Sequence, residues 1–332
     1  MQNARYQILS LLQKQKQNDY ISGEYISEKL KLTRAAVWKH MQALRHEGYE
    51  IEALPNRGYR LISIPDLLTP EALDHILNTQ LVGKKIYYYT SLDSTNYEAH
   101  RLASRKTEEG TVIFAEEQTS GRGRRNRVWH SPPGQGIWMS ILFYPTAHLP
   151  SAMSSFTAAA ATMVTTALRQ ETSLPVTIKW PNDLMLHNKK IGGILSEIKM
   201  EPEAVHYIIL GIGINVNQHK NDFPKELKSI ATSLHTESGI KFKRQYLCAS
   251  ILKHIDRGYP LFLEKGFYPF KQNWKEYNMT LGNYVTINLG NEYTEGYASD
   301  IDDNGSLIVT DTKQVERRFS YGEIEHLRTF QE

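Results

Sequence analysis

Gly121-Arg122-Gly123-Arg124-Arg125-Asn126-Arg127 is the stretch of this chain best suited to chemistry. Glycines let a backbone fold closely around a ligand, and closely spaced guanidinium groups offer planar donor forks matched to carboxylate and phosphate oxygens. That combination makes a loop for an anion. An Arg-Gly run can instead bind RNA or stay disordered, but no low-complexity sequence surrounds this one, and Trp129 and Trp138 lie in its flanks. A second cluster, Lys179-Trp180-Pro181-Asn182-Asp183, ends a strand pattern, and Lys189-Lys190-Ile191-Gly192-Gly193 opens the next. Lys179, Lys190 and the arginines, brought together, would surround one site with cations, which suits a nucleotide and an acidic co-substrate. A third segment, Gly211-Ile212-Gly213-Ile214-Asn215-Val216-Asn217, offers a close backbone approach, although strands ending in glycine are common. No Gly-x-x-x-x-Gly-Lys-Ser/Thr sequence occurs, so a P-loop does not cradle the phosphates.

These segments need a scaffold. Short apolar or alternating runs at 85–89, 111–116, 136–144, 176–180, 192–199 and 205–211 read as strands, and 151–170 and 243–264 as long helices. They predict a central α+β domain, a sheet backed by helices, with alternation too irregular for a doubly wound nucleotide fold. It is entered through Ile64-Pro65-Asp66, a short linker, and a helix capped by Thr69 with Pro70 at its first position. From Gly282 onward, strand patterns at 284–287, 292–298, 307–309 and 315–319, with Asp303-Asn304-Gly305-Ser306 as a tight hairpin, predict a small β-barrel.

Residues 5–62 read as a separate helical unit closed by a hairpin. Ile8, Leu11 and Leu12 mark one helix, Ile26 and Leu30 a second after Ser22, and Val37, Met41 and Leu44 a third, capped by Thr33 and stopped at Gly48. Alternating residues on either side of Pro55-Asn56-Arg57-Gly58 form a wing. The third helix shows Arg34, Ala35, Trp38, Lys39, Gln42 and Arg45 on its outer face. With Thr33, and with Arg57 on the wing, this face suits phosphates and base edges in a DNA major groove. The same module can also serve protein contacts.

Composition agrees with this division. Residues 1–64 carry ten Lys/Arg against six Asp/Glu, and the rest is close to neutral within an overall charge of +3. An anionic partner is therefore expected for the N-terminal module only. The apolar runs at 136–144 and 158–168 are too short or interrupted for a membrane span of roughly 20 residues, so no membrane association is expected. The amphipathic N-terminus lacks a secretory signal pattern, and a single cysteine, Cys248, allows no intrachain disulfide or multi-cysteine zinc site. A cytoplasmic protein with Cys248 buried, and no metal-ligating residues to name, is the expectation.

Taken in order, Asp93-Ser94-Thr95-Asn96, residues 118–129, residues 179–183, residues 190–195 and residues 211–217 resemble the motifs of the biotin protein ligase family. With the winged helix and the barrel, the resemblance extends over essentially the whole chain. It implies a multidomain α+β protein: a winged helix-turn-helix (1–64), a mixed α/β catalytic domain like class II synthetases (65–277) and an SH3-like barrel (278–332). The implied activity is ATP-dependent formation of biotinyl-5′-AMP and transfer of biotin to a lysine of a biotin carboxyl carrier domain, that of acetyl-CoA carboxylase or pyruvate carboxylase. The winged helix adds repression of biotin synthesis genes at operator DNA, by a homodimer that forms with biotinyl-adenylate. By the same resemblance Ser94, Thr95, Asn96, Gln118, Arg122, Gly123, Arg124 and Lys190 bind biotin. Contacts to ATP and Mg²⁺ fall near Arg124, Arg127, Trp129, Lys179 and Asn215. Catalysis rests on Arg124 and Lys190, with Asp183 either the base for the acceptor lysine or a structural turn residue, and Ser94 a helix cap, a ligand contact or both. Asn126 stands where family members often carry glycine, and asparagine tolerates the left-handed backbone such a turn needs. His130 replaces a frequent aromatic and is assigned no catalytic part. A metabolite-sensing transcription factor with a decayed enzyme domain and a lipoate or octanoate transferase are the competing readings; the intact arginine loop and the Lys179–Asp183 cluster weigh against both.

Overall fold

The computed structural model describes residues 4–15, 19–46, 48–145, 153, 155–201, 204–290 and 292–329. The chain divides into two compact units, Met1–Leu67 and Leu68–Glu332.

The first unit holds α1 (Ala4–Gln13), α2 (Gly23–Leu30), α3 (Arg34–His46), β1 (Glu50–Leu54) and β2 (Gly58–Ser63). Ile8, Leu12, Ile26, Val37, Met41 and Leu44 form one buried cluster, so the three helical stripes read from the sequence meet each other. Ser22 accepts from Tyr25 N at the start of α2, and Thr33 Oγ1 accepts from Ala36 N at the start of α3. The β1–β2 hairpin turns through Asn56 (φ 62°) and Gly58 (φ 105°). A Cβ on Gly58 would lie 2.1 Å from the Ile21 carbonyl oxygen, which is why the wing needs glycine there.

The second unit is built on a seven-stranded sheet. Its strands are β3 (Ile86–Tyr89), β4 (Thr111–Ala115), β5 (Gly136–Phe143), β6 (Thr177–Lys179), β7 (Asp183–Leu186), β8 (Lys189–Glu201) and β9 (Ala204–Asn215), in the order β3-β4-β5-β9-β8-β7-β6. Only β3 and β4 are parallel. Alternation along the strands sorts side chains to two faces. Val112, Phe114, Met139, Ile141, Leu210 and Ile212 pack with α6 (Phe156–Thr172), α8 (Arg244–Lys265) and α9 (Tyr268–Tyr277). Ile113, Leu142 and Ile209 meet Ala99, Leu102 and Ala103 of α5 (Thr95–Ser104) on the other face. Because helices cover both sides, β5 is buried at every residue and reads as an unbroken apolar run. Short α4 (Pro70–Leu73), capped by Thr69, and α7 (Leu234–Ser238) complete the unit's helices, and Cys248 is fully buried in α8.

β10 (Asn283–Asn288), β11 (Tyr293–Ile301), β12 (Leu307–Asp311), β13 (Glu316–Phe319) and β14 (Glu323–Thr329) form an antiparallel sheet in the order β13-β12-β11-β10-β14. Its Val285, Ile287, Ala298 and Val309 join the core that lies under the large sheet. The turn after β11 is the tight hairpin that Asn304-Gly305 predicts: Asp302 N donates to Ser306 O at 2.9 Å and Gly305 N to Asp302 O at 3.1 Å, Asp302 Oδ1 accepts from Asn304 N and Ser306 N, and Gly305 takes positive φ, at 74°. The long helix expected over 151–170 begins at Phe156; residues 151, 152 and 154 lie outside the described ones. No described helix is long and apolar enough to cross a membrane.

Candidate functional site

The arginine loop leaves β4 and returns to β5 across a narrow neck. Trp129 N donates to Gly121 O (2.8 Å) and Gly123 N to Arg127 O (2.7 Å). At its tip, Arg124–Asn126 forms a single 3-10 turn, with Arg125 and Asn126 at φ 54° and 59°. Asn126 therefore takes the left-handed backbone that its place in the loop demands. A Cβ on Gly121 would meet Trp129 O at 2.5 Å, so this neck closes only with glycine.

The loop lies over a cleft of about 610 Å³. All the sequence-predicted ligand residues line it: Ser94, Thr95, Asn96, Gln118, Arg122, Gly123, Arg124, Arg127, Trp129, Lys179, Lys190 and Asn215, together with Asp183. Its walls carry six cationic side chains, Arg122, Arg124, Arg125, Arg127, Lys179 and Lys190, against three carboxylates, Asp183, Glu323 and Glu325. That excess marks an anion site. Burial lowers the Lys179 ammonium and the Arg124 guanidinium from their ordinary values, with Asp183 and Glu323 acting in the opposite direction. A bound anion would relieve this cost.

One end of the cleft is polar and closely bonded. Ser94 starts α5 in an extended conformation with no side-chain cap bond, so it holds the cap position without the cap's hydrogen bond. Thr95 N and Oγ1 both reach Gln118 Oε1, at 2.9 and 3.1 Å, while Gln118 Nε2 donates to Ser131 Oγ at 2.9 Å. Ser140 Oγ lies 2.6 Å from Asn96 Oδ1 and 2.8 Å from Thr95 Oγ1. A Cβ at Gly211 would sit 2.4 Å from Asn96 Oδ1, so this glycine makes room for the amide.

The other end is cationic and aromatic. Lys190 Nζ lies 2.5 Å from Asp183 Oδ1 and 5.5 Å from the centre of the Trp129 ring. Asp183 begins β7 directly after the 180–182 turn, pairs with Lys179 across it and also holds Lys190. Trp129 packs edge-on to Trp138, against the space a side chain at Gly213 would fill, and its buried Nε1 has no hydrogen-bond partner among the described residues. Arg124 donates to Asn182 Oδ1 (3.2 Å) and Gly322 O (3.0 Å), Arg125 donates to Asn288 O (3.0 Å), and Arg127 pairs with both oxygens of Glu323. The small C-terminal sheet thus holds the loop tip. Asn215 is already engaged, its Nδ2 on Thr232 O and its Oδ1 accepting from Gln218.

Sequence reasoning missed Glu323 among the lining residues and, behind them, Ser140 and Glu197; it named Asn182 only within the Lys179–Asp183 cluster. Ser140 could have been found, as the lone polar side chain among the apolar residues of β5. Glu323 had no such signal, since its partner Arg127 lies 196 residues away in the chain. Among the described residues no group of three or more His, Cys, Asp or Glu could hold a metal.

On the first unit, Arg34, Ala35, Trp38 and Lys39 are exposed along α3, with Trp38 57% exposed. Arg45, on the same helix, is half-buried, and its Nε and Nη2 both donate to the Ile51 carbonyl, at 2.9 and 2.7 Å, bracing the wing. Arg34 pairs with Glu24, and Arg57 stacks 4.7 Å over Tyr20. Thr33 spends its hydroxyl on the α3 cap.

Comparison with known proteins follows the same division. Residues 4–60 match the model of an HTH domain, 88–215 that of the biotin/lipoate A/B protein ligase family, and 280–327 that of the biotin protein ligase C-terminal domain. Over 303 residues, 91% of this chain and 93% of the relative, it is 40% identical to the bifunctional ligase/repressor BirA of Bacillus subtilis. The chain belongs to the biotin protein ligase family. The Escherichia coli protein of the same name is 30% identical over 88% of both chains. The biotin protein ligase of Aquifex aeolicus, solved in complex with biotin and ATP, superposes with a TM-score of 0.63 at 30% identity, covering 74% of this chain and all of that one. This chain thus carries a region of the ligase family and an N-terminal HTH domain.

Proposed function

We propose that this ligase-family chain activates biotin with ATP, transfers it to a lysine of a biotin carboxyl carrier domain, and represses biotin synthesis genes in response to biotin. The observation that carries the reading is the gathering of the motif residues around one cleft, polar at one end and cationic at the other. The ureido group of biotin needs donors and acceptors when buried, and Ser94, Thr95, Asn96, Gln118, Arg122 and Gly123 supply that end. Lys179, Arg127, Trp129 and Asn215 suit the nucleotide.

Arg124 and Lys190 lie where the two anions must meet. In the first step a biotin carboxylate oxygen attacks the α-phosphorus, the bond to the β-phosphate oxygen breaks and pyrophosphate leaves. The two cations offset the repulsion of the approaching charges and hold the reactants aligned. In the second step the neutral amine of the carrier lysine attacks the mixed anhydride, an amide forms, AMP leaves with the bonding electrons, and the amine loses one proton. Asp183, which lines the cleft and holds the Lys190 ammonium, aims that lysine in the first step and is assigned the proton in the second. Mg²⁺ fits this donor set only as an ion carried on the ATP phosphates, where it would neutralise their charge; the arginines and lysines address the phosphates themselves. Labelled biotin, ATP, Mg²⁺ and the carrier domain of acetyl-CoA carboxylase or pyruvate carboxylase test the assignment. Label on the carrier lysine supports it, no label refutes it, and labelling by lipoate instead favours the lipoate-transferase reading.

For repression, α3 offers Arg34, Ala35, Trp38 and Lys39 to DNA, and a homodimer formed with biotinyl-adenylate would present two such helices to a palindromic operator. Lys39→Ala should weaken binding to DNA selected from a random pool and lower the magnitude of the salt slope by about one. Fluorescence anisotropy across a salt series checks this, and an unchanged slope would remove Lys39 from the interface. DNA affinity indifferent to saturating biotin and ATP would refute the coupling.

A further inference from the structure

Asn96 on α5 and Arg122 on the arginine loop converge on a single carboxylate, Glu197 of β8. Asn96 Nδ2 donates to Glu197 Oε2 at 2.6 Å, and Arg122 Nη1 lies 3.6 Å from Oε1. A carboxylate only accepts, so the nitrogen of the Asn96 amide must face Glu197 and its oxygen must face Ser140 Oγ, 2.6 Å away. The amide is locked in one of its two orientations. Arg122 is held from three sides: by Glu197, by Asn126 Oδ1 at 2.7 Å, and by the Tyr97 ring at 4.8 Å. Glu197 itself is not among the residues lining the cleft. His100, four residues on from Asn96 along α5, approaches the same carboxylate oxygen, its Nε2 3.6 Å from Oε2 and its Nδ1 3.1 Å from Tyr207 Oη. With His100 alongside and Asn96 donating, the Glu197 carboxyl is held below its ordinary value and so stays ionised.

We infer that Glu197 is a positioning residue for biotin capture, acting through Asn96 and Arg122 to fix the direction of the donors they present to the cleft. The inference rests on the reading that biotin is held through those two side chains. Glu197→Gln keeps the shape and removes the charge. Whichever way the new amide turns, its nitrogen faces either the Asn96 amide nitrogen or the Arg122 guanidinium, donor against donor. Glu197→Asp keeps the charge on a shorter stem.

Wild type, E197Q and E197D, each as the full chain, are compared in steady-state biotin transfer with KM for biotin and for ATP measured separately. Biotin binding by calorimetry without ATP and a thermal melt accompany them. E197Q should raise the KM and Kd for biotin about tenfold while KM for ATP and kcat stay within about threefold, and E197D should recover part of the loss. Unchanged biotin KM and Kd in E197Q would overturn the inference. So would a rise in both KM values together with a lowered melting temperature, which would assign Glu197 to the stability of β8. A wild type that transfers no biotin would instead overturn the underlying assignment.

Discussion

Lys190→Met is expected to slow biotinyl-adenylate formation by about 10²–10³-fold, as loss of one well-placed charge at a developing anion does elsewhere. Lys190 is held at both ends of its reach, its ammonium 2.5 Å from Asp183 Oδ1 and 5.5 Å from the Trp129 ring centre. Methionine keeps the length of the stem and removes the cation, so packing against Trp129 survives while the repulsion between carboxylate and α-phosphate is left unopposed on that side. The ion pair is about a third exposed on the lysine side, so the fold should tolerate the change. Rapid-quench measurement of adenylate in a single turnover checks this; a rate within threefold of wild type would take Lys190 out of the reacting centre.

The second large effect concerns the scaffold. Arg244 of α8 is buried, its side chain 1% exposed, and its Nη1 donates to Glu116 Oε2 at 2.8 Å and to Gly136 O at 3.0 Å. The Glu116 side chain is 9% exposed and also accepts from Leu68 N. Arg244→Met fills similar space but leaves a carboxylate buried without its cation, which costs about 3–5 kcal/mol. In a unit of this size that lowers the melting temperature by about 10 °C. Calorimetry should find the loss in the Leu68–Glu332 unit, and a melting temperature within about 2 °C of wild type would mean that the pair is dispensable. Arg244→Met with Glu116→Gln should recover much of the loss, since both charges are then gone.

The scaffold was legible where one physical cause governed a segment. The helical stripes of the first unit and the doubly covered strands β4, β5 and β9 announced themselves because burial set their patterns. α5 did not, because its first turn, Thr95-Asn96-Tyr97-Glu98, spends its buried positions on polar groups of the site. β7 was hidden behind Pro181-Asn182-Asp183, whose composition reads as a turn. β8 starts at Lys189 and runs to Glu201, beyond the 192–199 pattern at both ends, through the half-buried Lys189 and Lys190 and the exposed Met200 and Glu201. β14 alternates Glu323, Ile324 and Glu325, too brief a signal for an edge strand that pairs with β10 and not with its sequence neighbour β13.

The site divides in the same way. Residues inside the ordered motifs could be named, since glycine-arginine spacing and paired lysines state their own chemistry. Their supports could not: Ser140, Glu197 and Glu323 act across 44, 101 and 196 residues of chain, and only folding brings them to Asn96 and Arg127. Arg45 shows the converse, a basic residue on the right helix face that the fold spends on the Ile51 carbonyl.

The proposed ligase activity requires the cleft to join a carboxylate to a nucleotide. Biotin-dependent exchange of labelled pyrophosphate into ATP by the wild-type chain measures that step alone, without carrier or DNA. Exchange that appears with biotin and vanishes without it is the predicted result. No exchange with biotin present, or equal exchange with lipoate or octanoate in its place, would contradict it.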